Sequence, residues 1–155
     1  IAYICEIEIK AKAEPIKQIA DPDFNFNVKL NESNFKSGDK LGMEIGLTKP
    51  MYLTIFQYQP YIEKDYQIYK LFPNEREENN YIKGTKLTLP FNAKYEIYFP
   101  EKVKEKNVVE YLIYIVSDED INWLNEYNNI YELKSQIISS IKRVKYKHKQ
   151  YTIYK

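Results

Sequence analysis

The chain has 155 residues, a formal charge of +1, 44% apolar and 29% charged residues, which suits one domain with one core and excludes intrinsic disorder. A single cysteine, Cys5, rules out an internal disulfide and a cysteine-based zinc site, and a single histidine, His148, removes every mechanism that needs a histidine pair. Four glycines build neither a dinucleotide fingerprint nor a phosphate-binding loop, so no cofactor is expected.

Sixteen Tyr and seven Phe favour half-buried pleated surfaces, so β structure is expected to dominate. In residues 1–13, Ile1, Tyr3, Cys5, Ile7 and Ile9 alternate with Glu6, Glu8 and Lys10. That is the period of a strand with one wet face, and Cys5 reads as a small apolar filler on it. The chain opens inside this pattern without an initiator Met, so it is expected to be part of something longer, with residues 1–13 either an edge strand or the end of a preceding domain. Pro15 and Pro22 break the alternation, and residues 14–23 read as a linker to a domain over 24–155.

Phe24, Phe26, Val28 and Leu30 start a second alternation, and the Ser37-Gly38-Asp39 turn leads into a third at Leu41, Met43, Ile45 and Leu47. A helix would need three- and four-residue apolar spacing and would be weakened by Gly42 and Gly46. Residues 51–58 are apolar on both faces apart from Thr54, as expected of a central strand covered on both sides. Shorter strands are predicted over 66–72, 85–89 and 94–99 between the proline- and glycine-containing turns. Residues 108–116 form the longest apolar run, with Glu110 its only charged member, and also read as central.

At Ser117 the period changes. A capping hydroxyl followed by Asp118, Glu119 and Asp120 predicts a helix start, and Ile121, Leu124, Ile130, Leu133, Ile137 and Ile141 continue at helical spacing. Two short helices, or one kinked helix, are expected between 118 and 141, followed by a final strand over 144–154. The predicted fold is mainly β: an antiparallel β-sandwich of seven to ten strands with a short helical insertion near the C-terminus.

Charge is unevenly placed. Residues 142–155 hold six basic residues and no acid, which leaves −5 on residues 1–141. A basic terminus on an acidic body is not the footprint of a nucleic-acid face, so no nucleic-acid partner is expected. No apolar run approaches bilayer length, so membrane association is expected only through parts outside this chain.

Catalytic candidates are few. His148 lies among lysines on a predicted edge strand and reads as solvated. Glu75, Glu77 and Glu78 read as a solvated loop, and Asp118 to Asp120 as helix capping rather than a calcium loop. The chain is therefore read as non-enzymatic. The densest aromatic stretch, from Tyr52 to Tyr69, directs attention to residues 60–65 and 73–80 as a partner-facing surface at one end of the sandwich. Its candidate binding residues are Tyr58, Tyr61, Ile62 and Asn74, with Tyr61 and Ile62 expected to be exposed because no alternating neighbours place them in a core.

The succession Phe35-Lys36-Ser37-Gly38-Asp39-Lys40-Leu41, Tyr52-Leu53-Thr54-Ile55-Phe56, Leu71-Phe72-Pro73-Asn74, Tyr81-Ile82-Lys83-Gly84 and Leu89-Pro90 resembles an uncharacterised bacterial cell-envelope accessory domain family over about residues 24–123. Its members are domains of unknown function found in envelope lipoproteins, with no assigned catalytic residues. Their usual glycine-containing hairpin turn is replaced here by a glycine-free loop at 58–65. The resemblance implies a binding or assembly module in the periplasm or peripheral to the outer membrane, with a protein partner or, alternatively, a carbohydrate or peptidoglycan ligand.

Overall fold

The computed structural model describes residues 22–140 and 143–155. The predicted strand at 1–13, Cys5, most of the 14–23 linker and Ile141 lie outside the described residues.

Nine strands form two sheets: β1 (Phe26–Leu30), β2 (Asn34–Lys36), β3 (Met43–Leu47), β4 (Met51–Tyr58), β5 (Ile68–Phe72), β6 (Tyr81–Ile82), β7 (Lys86–Leu89), β8 (Asn107–Ser117) and β9 (Val144–Tyr154). The smaller sheet has the order β1-β3-β7, and the larger runs β2-β9-β8-β4-β5 with β6 also paired to β4. All pairings are antiparallel except that of β2 with β9. The molecule is thus the sandwich-like, mainly β fold expected from the alternations.

Strand periodicity decides what each face meets. Phe26 and Val28 on β1, and Met43, Ile45 and Leu47 on β3, face Met51, Leu53 and Ile55 on β4 and Leu112, Tyr114 and Val116 on β8 to fill the space between the sheets. The opposite face of the large sheet carries Phe56, Ile113 and Ile115, which Ile121, Leu124 and the helix α1 (Ile130–Ser139) cover through Ile130, Leu133 and Ile137. This double covering explains why β4 and β8 are apolar on both faces.

Two expectations need correction. Ser117 does not cap a helix: it ends β8 and its hydroxyl donates to the Glu119 carbonyl at 2.7 Å. A 3₁₀ turn at Asn122–Glu126 follows, and α1 is capped by Asn129, whose side-chain oxygen accepts from the Glu132 amide at 2.9 Å. The strand predicted over 94–99 is reduced to a bridge between Lys40 and Glu96, flanked by bonds from Leu41 N to Tyr95 O and from Ile97 N to Asp39 O.

Candidate functional site

The Gly-Asp turn behaves as its residues require. Gly38 has φ of 94°, a region costly for side-chain-bearing residues, and the Asp39 carboxylate accepts the Lys36 amide at 2.7 Å. The turn leads the chain to Leu41, which holds residues 93–97 through the Tyr95 carbonyl.

Between this wall and β5 lies an open cleft of about 950 Å³. Tyr69, Leu71, Pro73 and Ala93 supply its apolar lining, with the buried Leu41 and Ile97 at its base. Arg76 and Lys94 share its lining with Glu75, Glu78 and Glu96, so both signs of charge are present, whereas Lys70 borders it but its ammonium group donates to Asn125 of the 3₁₀ turn. Gln57 and Tyr95 also reach it, and each belongs to a hydrogen-bonded cluster built around a buried glutamate.

The first cluster centres on Glu77, only 1% exposed. One carboxylate oxygen accepts the backbone amides of Phe91 at 2.7 Å and Asn92 at 3.1 Å. The other accepts the Tyr95 hydroxyl and, at 3.2 Å, the Asn74 side-chain amide. Burial pushes the carboxyl upward in pKa, but the four donors together outweigh it and hold the group below the ordinary glutamate value. Burial, reinforced by the bond to Glu77, pushes the Tyr95 phenol up, so it stays protonated and donating. Asn74 completes the knot: its amide also donates to the Leu71 carbonyl at 2.9 Å, and its oxygen accepts the amides of Arg76 and Glu77. Glu77 is therefore no solvated loop residue; its carboxylate ties the Leu-Phe-Pro-Asn turn to the loop after Leu89-Pro90.

The second cluster centres on Glu110, again 1% exposed. Its place on β8 puts it on the core-facing side with Val108 and Leu112, directly opposite Tyr151 of β9. Gln57 donates to one oxygen at 2.7 Å and the Tyr151 hydroxyl donates to the same atom. Gln59 at 3.1 Å and the Tyr61 hydroxyl serve the other oxygen. Burial, with Glu110 adding to it, pushes the Tyr61 and Tyr151 phenols up. No buried side-chain N or O among the described residues lacks a hydrogen-bond partner.

The four sequence candidates separate. Asn74 lines the cleft as part of the Glu77 knot, and Tyr61 stands behind the cleft in the Glu110 cluster, packed against the main core. Tyr61 and Ile62 are half-buried rather than exposed, because the 59–62 turn folds back: Ile62 N bonds Gln59 O, and the Gln67 amide donates to Ile62 O at 3.0 Å. Tyr58 lies on the other face of the large sheet, its ring 5.8 Å from that of Tyr111. Alternation along β4 thus divides the aromatic stretch between two surfaces. His148 is exposed on β9, its ring 6.2 Å from Tyr111. Among the described residues no group of three or more His, Cys, Asp or Glu is arranged to hold a metal ion, and no helix is long and apolar enough to cross a membrane.

A family model described as "Domain of unknown function (DUF4384)" matches residues 34–120, more than half of the chain. The chain belongs to this family. No curated protein and no solved structure matches it. The matched DUF4384 stretch contains the Gly-Asp turn, the Asn74–Glu77–Tyr95 knot, Glu110 and every cleft-lining residue named above. Tyr151, which completes the Glu110 cluster, falls outside it.

Proposed function

We propose that the domain is a non-catalytic binding or assembly module of a bacterial cell-envelope protein, acting in the periplasm or at the outer membrane, and that the cleft receives a segment of a protein partner. The observation that carries this reading is the pairing of an open, mixed-charge, partly apolar cleft with walls braced by two buried glutamates. Each glutamate oxygen accepts donors from the protein itself. Carboxyl groups so engaged serve to fix the walls, since a general acid or base needs a lone pair or proton directed at a substrate. Arg76 and Lys94 beside Glu75, Glu78 and Glu96 suit a peptide with charges of both signs, and Tyr69, Leu71 and Ala93 offer it apolar contact.

The envelope location rests on the resemblance of the Gly-Asp and Leu-Phe-Pro-Asn elements to the accessory domains of envelope lipoproteins. A carbohydrate or peptidoglycan ligand is the second reading, favoured by Tyr69, a residue 61% exposed in the cleft lining that offers an aromatic ring for a sugar face to stack on.

A photo-crosslinking residue placed at Arg76 or Lys94 in the full-length protein, expressed in its native cell, tests both readings. A discrete protein adduct is expected at these positions and not at Lys86, which lies on the small sheet, away from the cleft lining. Adducts at Lys86 alone would defeat the cleft assignment. Competition by muropeptides, lost in Tyr69→Ala, would decide for the glycan.

A further inference from the structure

A second pocket, of about 270 Å³, lies on the opposite face of the large sheet from the cleft, between β4, β8 and β9 and the helix α1. Its construction follows from register. Tyr58 sits directly opposite Tyr111 across β4 and β8, and Ile113 opposite His148 across β8 and β9. These outward positions bring the Tyr58 and Tyr111 rings to 5.8 Å at a 30° tilt and set His148 edge-on to Tyr111 at 6.2 Å. Helix α1 closes the opposite side with Ile130, Leu133 and Ile137. The helix is short and narrow, so it covers Ile113 and Ile115 but leaves the aromatic row beside them as a recess.

The polar groups of this recess have one character. Tyr58, Tyr111, Tyr146, His148 and Lys134 line it, and among the described residues no Asp, Glu, Asn or Gln does. Burial, with smaller contributions from Tyr131 and Tyr111, pushes the Tyr58 phenol up and keeps it a donor. A pyranose needs acceptors as well as donors around its hydroxyls, and acceptor capacity here is limited to hydroxyls and an imidazole. A recess with apolar walls, donor groups and a lysine instead complements an apolar body that carries a negative charge. Its volume is slightly below that of pockets that hold drug-sized ligands, which limits the body to about one ring or a short chain.

We propose that this pocket binds a small apolar carboxylic acid, its ring or acyl chain lying between the Tyr58–Tyr111 pair and Leu133 and its carboxylate meeting Lys134. The site is independent of the cleft, since it uses the other face of the sheet, and its failure would leave the partner-binding reading where it stands.

The test is a titration of the ¹⁵N-labelled chain with 4-phenylbutyrate and, in parallel, with 4-phenylbutan-1-ol, which matches its ring and chain without the charge. The acid is expected to give saturable shifts centred on Tyr111, Leu133 and His148, and the alcohol to bind at least about tenfold more weakly, the difference of a charge-assisted contact. Lys134 is exposed on α1, so Lys134→Gln should unfold at the same temperature as the parent while binding the acid no better than the alcohol. Lys134→Arg should restore most of the preference. Equal affinity for acid and alcohol, shifts centred away from these residues, no saturation by either compound, or an unchanged preference in Lys134→Gln would each overturn the proposal.

Discussion

Replacing Glu77 by Gln keeps the shape of the side chain and removes its charge at a position where four donors converge. The glutamine carbonyl can keep the Phe91 and Asn92 amides. Its NH₂ group then stands where the second carboxylate oxygen stood; the Tyr95 hydroxyl can turn to accept from it, but the Asn74 amide meets it donor to donor. Hydrogen bonds to a charged group contribute about 1.5–3 kcal/mol and neutral ones about 0.5–1.5 kcal/mol. Three bonds weakened by about 1 kcal/mol each and one lost bond of about 2 kcal/mol therefore come to about 5 kcal/mol. In a domain of this length that lowers Tm by roughly 15 °C.

The pH dependence of the same pair provides a second measurement. The folded pKa of Glu77 is lowered, so its contribution is fully present above the unfolded value of about 4.3 and is lost as pH falls through the lower folded value. Glutamine does not titrate. The stability gap between parent and Glu77→Gln, read from urea unfolding with a shared m-value, should be widest near about pH 7 and narrow towards about pH 3. A gap below about 1 kcal/mol at neutral pH, or one independent of pH, would refute the assignment of Glu77 as the charged centre of the knot.

Three further outcomes are expected. Tyr61→Phe should cost about 1–2 kcal/mol by leaving the Glu110 cluster one donor short, and Tyr61→Ala about 2–4 kcal/mol because core-packed ring surface is lost too; a near-neutral urea midpoint for Tyr61→Ala would return the residue to the exposed role expected from sequence. Asn129→Ala should destabilise by about 1 kcal/mol through loss of the α1 cap and Asn129→Asp by much less, measured by thermal unfolding with circular dichroism. Leu133→Ala should cost about 3 kcal/mol, since the side chain is fully buried beneath α1; a loss confined to α1 amide protection in hydrogen exchange, with global stability kept, would show the helix to be a separable cover.

Strands β1 and β3 were legible from simple alternation and β4 and β8 from apolar runs covered on both faces, whereas β2 and β6, of three and two residues, are too short to show a period. The final strand, Val144–Tyr154, coincides with its predicted span although Lys145, Lys147 and Lys149 alternate with Tyr146 and His148, because period rather than composition defines it. The helix cap was misread since Ser117 and Asn129 both precede acids and helical spacing, and only the length of β8 decides between them. The cleft was partly legible: Asn74 was singled out and lines it, whereas Glu77 looked solvated because its donors come from residues 91, 92 and 95, far along the chain. Glu110 did carry a signal, as a lone acid on the core-facing parity of an otherwise apolar strand. What sequence could not supply was the pairing that places Gln57 and Tyr151 around it.

The position of β9 between β2 and β8 has a consequence for the order in which the protein can be made. Strand β2, near the start of the described chain, pairs in parallel with Thr152 to Tyr154, at its very end. During synthesis at about 5–20 residues per second, β8 emerges and must wait with one edge unpaired until β9 follows. The large sheet cannot be completed before β9 emerges, which gives the domain a high contact order and slow closure. The same arithmetic applies to expression: a polypeptide cut at residue 120, where the family match ends, would keep the cleft-lining residues but leave β2 without its partner, β8 with a bare edge and Glu110 without Tyr151.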